Sequence, residues 1–179
     1  MSLYGSGVEY GLHCLLYLVD PPAGGPPSSR DLADFQGVSP SYVAKLFTRL
    51  EKAGLVTSAE GVRGGYRLAR PADQITILEV VDVLESEKQL FRCREVRANC
   101  VLYSGAPPVW AIRGTCSIHA LMREAESAMR DVLGSRTLAD LAGTVAPKIP
   151  ASFRARKRRW FEKRHLARRH PARNQETAK

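Results

Sequence analysis

No apolar run in this 179-residue sequence is long enough to cross a bilayer. The longest, Leu12 to Val19, is broken by His13 and falls far short of the roughly 20 residues a spanning helix needs. The first positive charge is Arg30, beyond that run, so no secretory leader is expected and a cytoplasmic setting is. Cysteine is scarce. Its four copies, Cys14, Cys93, Cys100 and Cys116, include no Cys-x-x-Cys pair, which excludes a disulfide scaffold, a zinc ribbon and a dithiol redox motif. There is no Gly-x-Ser-x-Gly elbow, no phosphate-binding Gly-x-x-x-x-Gly-Lys and no internal repeat. An enzyme is therefore not expected.

What is present is enough apolar sequence, 44% of residues, for one core of ordinary size. The net charge of +9 suggests a polyanionic partner until it is located along the chain. Residues 147–179 hold 12 Lys or Arg against 2 Glu, and the remainder is close to neutral. A run such as Arg154-Ala155-Arg156-Lys157-Arg158-Arg159 repels itself, so this tail is expected to be extended or only partly helical. It would either solubilise the chain or strengthen phosphate binding without reading sequence.

The periodicity gives the architecture. Val8, Leu12, Leu15, Leu16 and Val19 lie on one face of a helix over 8–19, and Glu9 and His13 are neighbours on its surface. Pro21 to Pro27 ends it. Ser28 or Ser29 can cap a short helix over Arg30 to Phe35, which Gly37 closes. Ser39 followed by Pro40 starts the next helix, buried through Val43, Leu46, Phe47 and Leu50, and Gly54 stops it. Leu55–Ser58 and Tyr66–Ala69 read as strands around the glycine-rich turn Gly61 to Gly65. A helix from Thr76 to Leu84 follows. A longer one from Cys116 to about Leu133 has its apolar stripe on Ile118, Leu121, Met122, Ala125, Met129 and Val132, and a second copy of the chain would bury that stripe. Thr137 to Ala142 closes the globular part.

This order predicts a mainly α fold with a small β-hairpin, a winged helix-turn-helix joined to a long dimerisation helix. The expected parts are residues 1–85 for DNA binding, 86–115 as a cysteine-bearing loop, 116–146 for dimerisation and 147–179 as the tail. A reading helix must be held by its apolar stripe while its N-terminal end offers small and polar groups to base edges. Ser39, Ser41, Tyr42, Lys45 and Arg49 meet that demand, with Arg63 and Gly64 in the wing.

The second constellation is Cys93, Cys100, Cys116 and His119, set in a loop marked by Gly105, Pro107, Pro108 and Gly114. Three thiolates and an imidazole suit zinc or the irons of a cluster. Three cysteines in a small core are the alternative. Cys14, among Leu12, Leu15 and Leu16, reads as core.

The segments Ser39-Pro40-Ser41-Tyr42-Val43-Ala44-Lys45-Leu46-Phe47, Leu50-Glu51-Lys52-Ala53-Gly54-Leu55-Val56 and Arg63-Gly64-Gly65-Tyr66-Arg67-Leu68-Ala69 resemble the Rrf2 family of bacterial winged-helix regulators. That family includes an iron-sulfur cluster regulator and a nitric-oxide-sensing repressor. The resemblance covers about residues 3–143. It implies a homodimer on a palindromic operator and an iron-sulfur cluster, two-iron ahead of four-iron, that senses redox state, nitric oxide or cluster status. Two ligand schemes follow from it. His119 completes the set of Cys93, Cys100 and Cys116, or Glu9 and His13 of a partner subunit contribute instead. A cluster-free regulator using the three cysteines as thiol switch or zinc site, and an electron-transfer or cluster-carrier protein, are the alternatives.

Overall fold

The computed structural model describes residues 3–21, 25–59, 64–85 and 91–169. Helix α1, Ser6–Val19, buries Val8, Cys14, Leu15 and Leu18, a face turned from the expected stripe, of which Leu12, Leu16 and Val19 are only half-buried. Helix α2, Ser29–Gln36, begins in a capping box. The Asp31 N–H donates to the Ser28 hydroxyl at 3.1 Å, and the Ser28 N–H donates back to the Asp31 carboxylate at 3.0 Å. Gly37 ends α2 at φ 67°, a left-handed backbone that a side chain would strain.

Helix α3, Pro40–Lys52, follows after three residues. Its stripe of Val43, Leu46, Phe47 and Leu50 is buried, and the Phe47 ring meets Tyr66 at 4.7 Å. Strands β1, Val56–Ser58, and β2, Tyr66–Leu68, pair antiparallel with Val56 opposite Leu68 and Ser58 opposite Tyr66. The hairpin tip, Glu60 to Arg63, lies outside the described residues, and so does the expected wing contact Arg63. At the base of the hairpin Gly65 lies against the backbone of Pro26 and Pro27. No side chain fits there, and the Tyr66 N–H takes advantage by donating to the Pro27 carbonyl at 2.8 Å.

Helix α4, Ile77–Glu85, opens with a second reciprocal cap between Thr76 and Glu79 and buries Ile77, Val80, Val81 and Leu84. Helix α5 is the single turn Val109–Ile112. The long helix α6, Ser117–Gly134, buries none of its residues. Its C-terminal end is nevertheless fastened to the core. Arg130 forks onto the Asp82 carboxylate at 2.9 and 2.8 Å, and the Tyr4 hydroxyl reaches the Met129 sulfur at 3.2 Å. Helix α7, Leu138–Val145, then returns the chain to the domain. The Ile77 N–H donates to the Arg136 carbonyl at 2.8 Å, the Leu138 N–H to the Ile75 carbonyl at 2.9 Å, and the Leu138 side chain is fully enclosed. No helix among the described residues is long and apolar enough to cross a membrane.

The C-terminal segment departs from the sequence reading. Residues expected to form an extended basic tail make helix α8, Ala151–Arg169. The charge-repulsion argument failed because one face of that helix carries its own partners. Phe161 is buried in an aromatic cluster with Tyr17, Phe35 and Trp160, ring centroids 4.9 to 5.8 Å apart. Arg164 pairs with Asp31 at 3.1 Å and with Asp34, and Arg168 pairs with Asp31 at 3.2 Å. Asp31 therefore caps α2 and anchors α8 at once.

Burial alone would raise the Asp31 carboxyl. The Ser28 N–H and hydroxyl, with the guanidinium groups of Arg168 and Arg164, outweigh it and hold the group below its ordinary value of 3.8. A depressed acid contributes stability that is complete above its unfolded-state pKa and is lost as pH falls through the folded-state one. Acid titration of a Trp110→Phe chain, followed by Trp160 emission, should therefore show α8 leaving its seat only below about pH 4. Asp31→Asn should loosen the helix at neutral pH and flatten that transition. An unchanged acid transition in Asp31→Asn would remove Asp31 as the anchor.

Candidate nucleic-acid interface and thiol cluster

Two groups of side chains stand out on this frame. The first is the face of α3 turned away from the core. Ser39, Ser41 and Lys45 are exposed, and Lys45 has no partner among the described residues. The Ser39 and Ser41 hydroxyls share a hydrogen bond of 2.9 Å. Ser39 thus starts the helix without the side-chain cap expected of it. Thr48, which the sequence reading passed over, continues the face, its hydroxyl donating to the Ala44 carbonyl at 2.9 Å. It lies three residues from Lys45, a spacing that would have found it.

Two residues assigned to this face also have partners inside the domain. Arg49 turns back into the domain, where Nη1 donates to the Leu84 carbonyl at 2.8 Å. That oxygen belongs to the last turn of α4, whose carbonyls lack intrahelical partners and whose dipole favours a cation. Tyr42 is tied to α1. Its ring meets Tyr10 edge-on at 5.9 Å, and a Cβ built on Gly7 would stand 3.0 Å from the Tyr42 hydroxyl. Gly64 is half-buried at the base of the wing, where its carbonyl accepts from Arg168 at 2.6 Å.

The second group is the cysteine loop, organised by a residue the sequence reading did not single out, Arg97. Its guanidinium forks onto the Glu95 carboxylate at 2.5 and 2.9 Å, and Nη2 also donates to the Gly114 carbonyl at 3.0 Å. That last bond closes the loop, bringing the chain just before Cys116 back to the chain just after Cys93. Glu95 holds Arg97 firmly in its charged form, and the Cys116 and Cys93 thiols on either side add to the effect. Arg97 in turn keeps the Glu95 carboxyl below its ordinary value, helped by His119. Cys93, Cys116 and His119 therefore share one electrostatic neighbourhood. His119 stacks obliquely near Phe91, 6.2 Å between ring centres.

Glu95 adopts φ 50°, strained for a residue with a side chain. Its N–H is thereby aimed at the Cys93 sulfur at 3.4 Å. The signal available in the sequence was Arg92, Arg94 and Arg97 crowding a cysteine, since cations favour thiolate.

The other proposed ligands lie apart or uncommitted. Cys100 is exposed after the turn Val96–Asn99. Glu9 and His13 are exposed on α1, and His13 borders a crevice between α1, α7 and α8 with Val145, Ile149 and Phe153. Among the described residues no three His, Cys, Asp or Glu side chains converge closely enough to hold a metal ion. The described residues of one chain thus present cysteines with soft-metal chemistry and no complete donor set. Cys14 is core, as its apolar neighbours implied, and burial pushes its thiol up to about 12.

The two roles assigned to α3 residues separate in one experiment. Lys45→Ala should leave the melting temperature unchanged and weaken duplex binding several-fold, while Arg49→Ala should lower stability by about 1 kcal/mol. Equal thermal shifts for both would contradict the assignment.

Comparison with known proteins agrees with this geometry. The description of the Rrf2 family, iron-dependent transcriptional regulators, matches residues 4–144. Protein rrf2 of Nitratidesulfovibrio vulgaris is 36% identical over 133 residues, covering 74% of this chain and 82% of that protein. Among solved structures, CymR, the global cysteine regulator of Bacillus subtilis, superposes with TM-score 0.63 at 28% identity, over 80% of this chain and 98% of CymR. IscR of T. potens gives 0.62 at 26%, over 84% and 93%. A helix-turn-helix with a paired-strand wing, followed by a long helix, is common ground with these regulators. This chain belongs to the Rrf2 family of DNA-binding transcriptional regulators and is not an enzyme.

Proposed function

We propose that the chain acts as a homodimeric repressor-type regulator whose hold on a palindromic operator follows chemistry at Cys93 and Cys116. The observation that carries this reading is the bond from Arg97 to the Gly114 carbonyl, which folds the segment before Cys116 back onto the segment after Cys93, although the two cysteines are 23 positions apart in sequence. Cysteine thiolates bind soft metals and react with oxidant.

The dimer reading rests on α6. Ile118 and Leu121 are each 64% exposed on a helix with no buried residue, and Trp110 just before it is 75% exposed. A two-fold partner would cover these side chains. It would also supply what each chain lacks. Glu9 and His13 stand exposed on α1, and a carboxylate with an imidazole added to two thiolates makes four donors for a two-iron iron-sulfur cluster. Such a cluster, when bound, would supply one-electron chemistry and a charge that changes with oxidation state. In this scheme Cys93 and Cys116 hold one side, while Glu9 and His13 of the partner subunit hold the other. His119 and Cys100 are the competing donors, and His119, close to Glu95, is the stronger of them.

Because α1 packs against α3, with Gly7 against Tyr42 and Leu46 and Tyr10 against Tyr42, a ligand on α1 couples the site to the spacing of the two reading helices. A second reading has its own support. A CymR from Staphylococcus aureus has a solved structure described as an oxidized form, and free cysteines that are not fully buried, Cys93, Cys100 and Cys116, also suit a switch made of thiols alone.

Protein purified without oxygen should be coloured and should contain iron and sulfide. Cys93→Ser and Cys116→Ser should each abolish the colour. Loss of colour in His13→Ala with retention in His119→Ala supports the shared site, and the reverse supports the single-chain set. Colourless, iron-free protein whose operator affinity still changes on oxidation would replace the cluster with the thiol switch.

A further inference from the structure

Helix α8 lies beyond residues 4–144, the part the family description covers, so the winged unit and the long helix do not account for it. Its two faces differ sharply. Lys157, Trp160, Phe161, Arg164, His165 and Arg168 recur at three and four residues, and all are turned inward. Lys157 sits over the Tyr17 ring at 5.5 Å, Trp160 meets Phe35 at 5.0 Å, and His165 is buried. The opposite face carries Arg158, Arg159 and Lys163. All three are exposed, and none has a hydrogen bond, ion pair or ring contact among the described residues.

Arg159 and Lys163, one turn apart, repel each other and disfavour the helix they sit in. They are held there by the docked face, so the row of positive charge is rigid and has a fixed place. That place is set by the last turn of α8. Arg168 donates to the Gly64 carbonyl at 2.6 Å and to the Pro26 carbonyl at 3.1 Å. Gly64 leads into the wing's return strand β2, and Pro26 leads into the N-terminus of α2. The helix therefore ends at the base of the wing, where the hairpin meets the helix-turn-helix.

We propose that α8 is a docked phosphate-binding arm. Through Arg158, Arg159 and Lys163 it grips the DNA backbone outside the sequence read by α3, extending the contact past the wing on each side of the operator. The partner is duplex DNA because the open cations are complementary to a phosphate row and the helix that carries them is anchored at the base of the wing. Such contacts add affinity without base preference and carry a salt dependence proportional to the phosphates neutralised. The proposal rests on the family's DNA binding, and the wild-type chain tests that basis separately.

The experiment uses the full chain and a palindrome that this protein selects from random duplexes. One probe is trimmed to the palindrome, and the other carries about 10 further base pairs of arbitrary sequence on each side, roughly a helical turn. The wild type should bind the flanked probe about tenfold more tightly. The triple variant Arg158→Gln, Arg159→Gln, Lys163→Gln should lose that gain and lower the slope of log Kobs against log salt by about 2 to 3 per subunit, with trimmed-probe affinity within about twofold of wild type. Phe161→Ser keeps every cation of the stripe but removes its seat, so it should also lose the flank gain.

A triple variant that keeps the gain and the slope would overturn the proposal. So would Phe161→Ser with an undiminished gain, because a loose polycation would then suffice. An equal gain from single-stranded RNA of the same length would assign the stripe to RNA. A wild-type chain that selects no duplex would overturn DNA binding itself, and the arm with it.

Discussion

Helix α3 can offer Ser41, Lys45 and Thr48 to solvent only because four side chains on its other face are wholly enclosed. Val43, Phe47 and Leu50 have no exposed surface and Leu46 almost none. Burying a side chain of this size is worth about 1.5 to 3 kcal/mol, so the four together bring roughly as much as the net stability of a small domain. Everything else in the winged unit is arranged around that seat. Helix α1 packs against it, the hairpin closes over Phe47 through Tyr66, and Arg49 ties the far end of α3 to the last turn of α4. A reading helix that shifted on its domain would lose register with the bases, and this packing denies it the freedom.

The cysteine loop has no such core. Between Phe91 and Cys116 only Ala111 is buried, and the loop keeps its shape through polar bonds centred on Arg97. That difference in construction suits the two jobs proposed for them. A surface that recognises a fixed duplex gains from rigidity, whereas a site that changes state must be able to rearrange without unfolding the domain. The strained backbone at Glu95 belongs to the second kind of structure. It is retained because the Glu95 N–H meets the Cys93 sulfur and the Glu95 carboxylate meets Arg97.

Most of the fold was legible in the sequence because it obeys local rules. Ser28 before an acidic third residue, proline after Ser39, glycine at 37, and apolar residues at three and four fixed α2 and α3 nearly to the residue. The long helix was recognisable from its stripe. What escaped were features set by distant residues. Arg49 looked like a base contact because nothing near it in sequence reveals the Leu84 carbonyl. Arg97 looked like one charge among several until the Gly114 carbonyl closed the loop on it. Helix α8 was misread because composition counted its cations without asking which of them met Asp31, Asp34 and the ring of Tyr17. Trp160 and Phe161, placed among the arginines and lysines, were the clue to a docked face.

The fastening of α6 has a mechanical consequence. At about 1.5 Å per residue its 18 residues make a rod of about 27 Å. Arg130, Met129 and the tie between Ile77 and Arg136 clamp one end, and the opposite end starts at Cys116 and projects free of the core. Such a rod is a pointer with its pivot in the winged unit. A small tilt at the pivot sweeps the thiol end through a wide arc, and a tug on the thiol end arrives at the pivot with the leverage of its whole length.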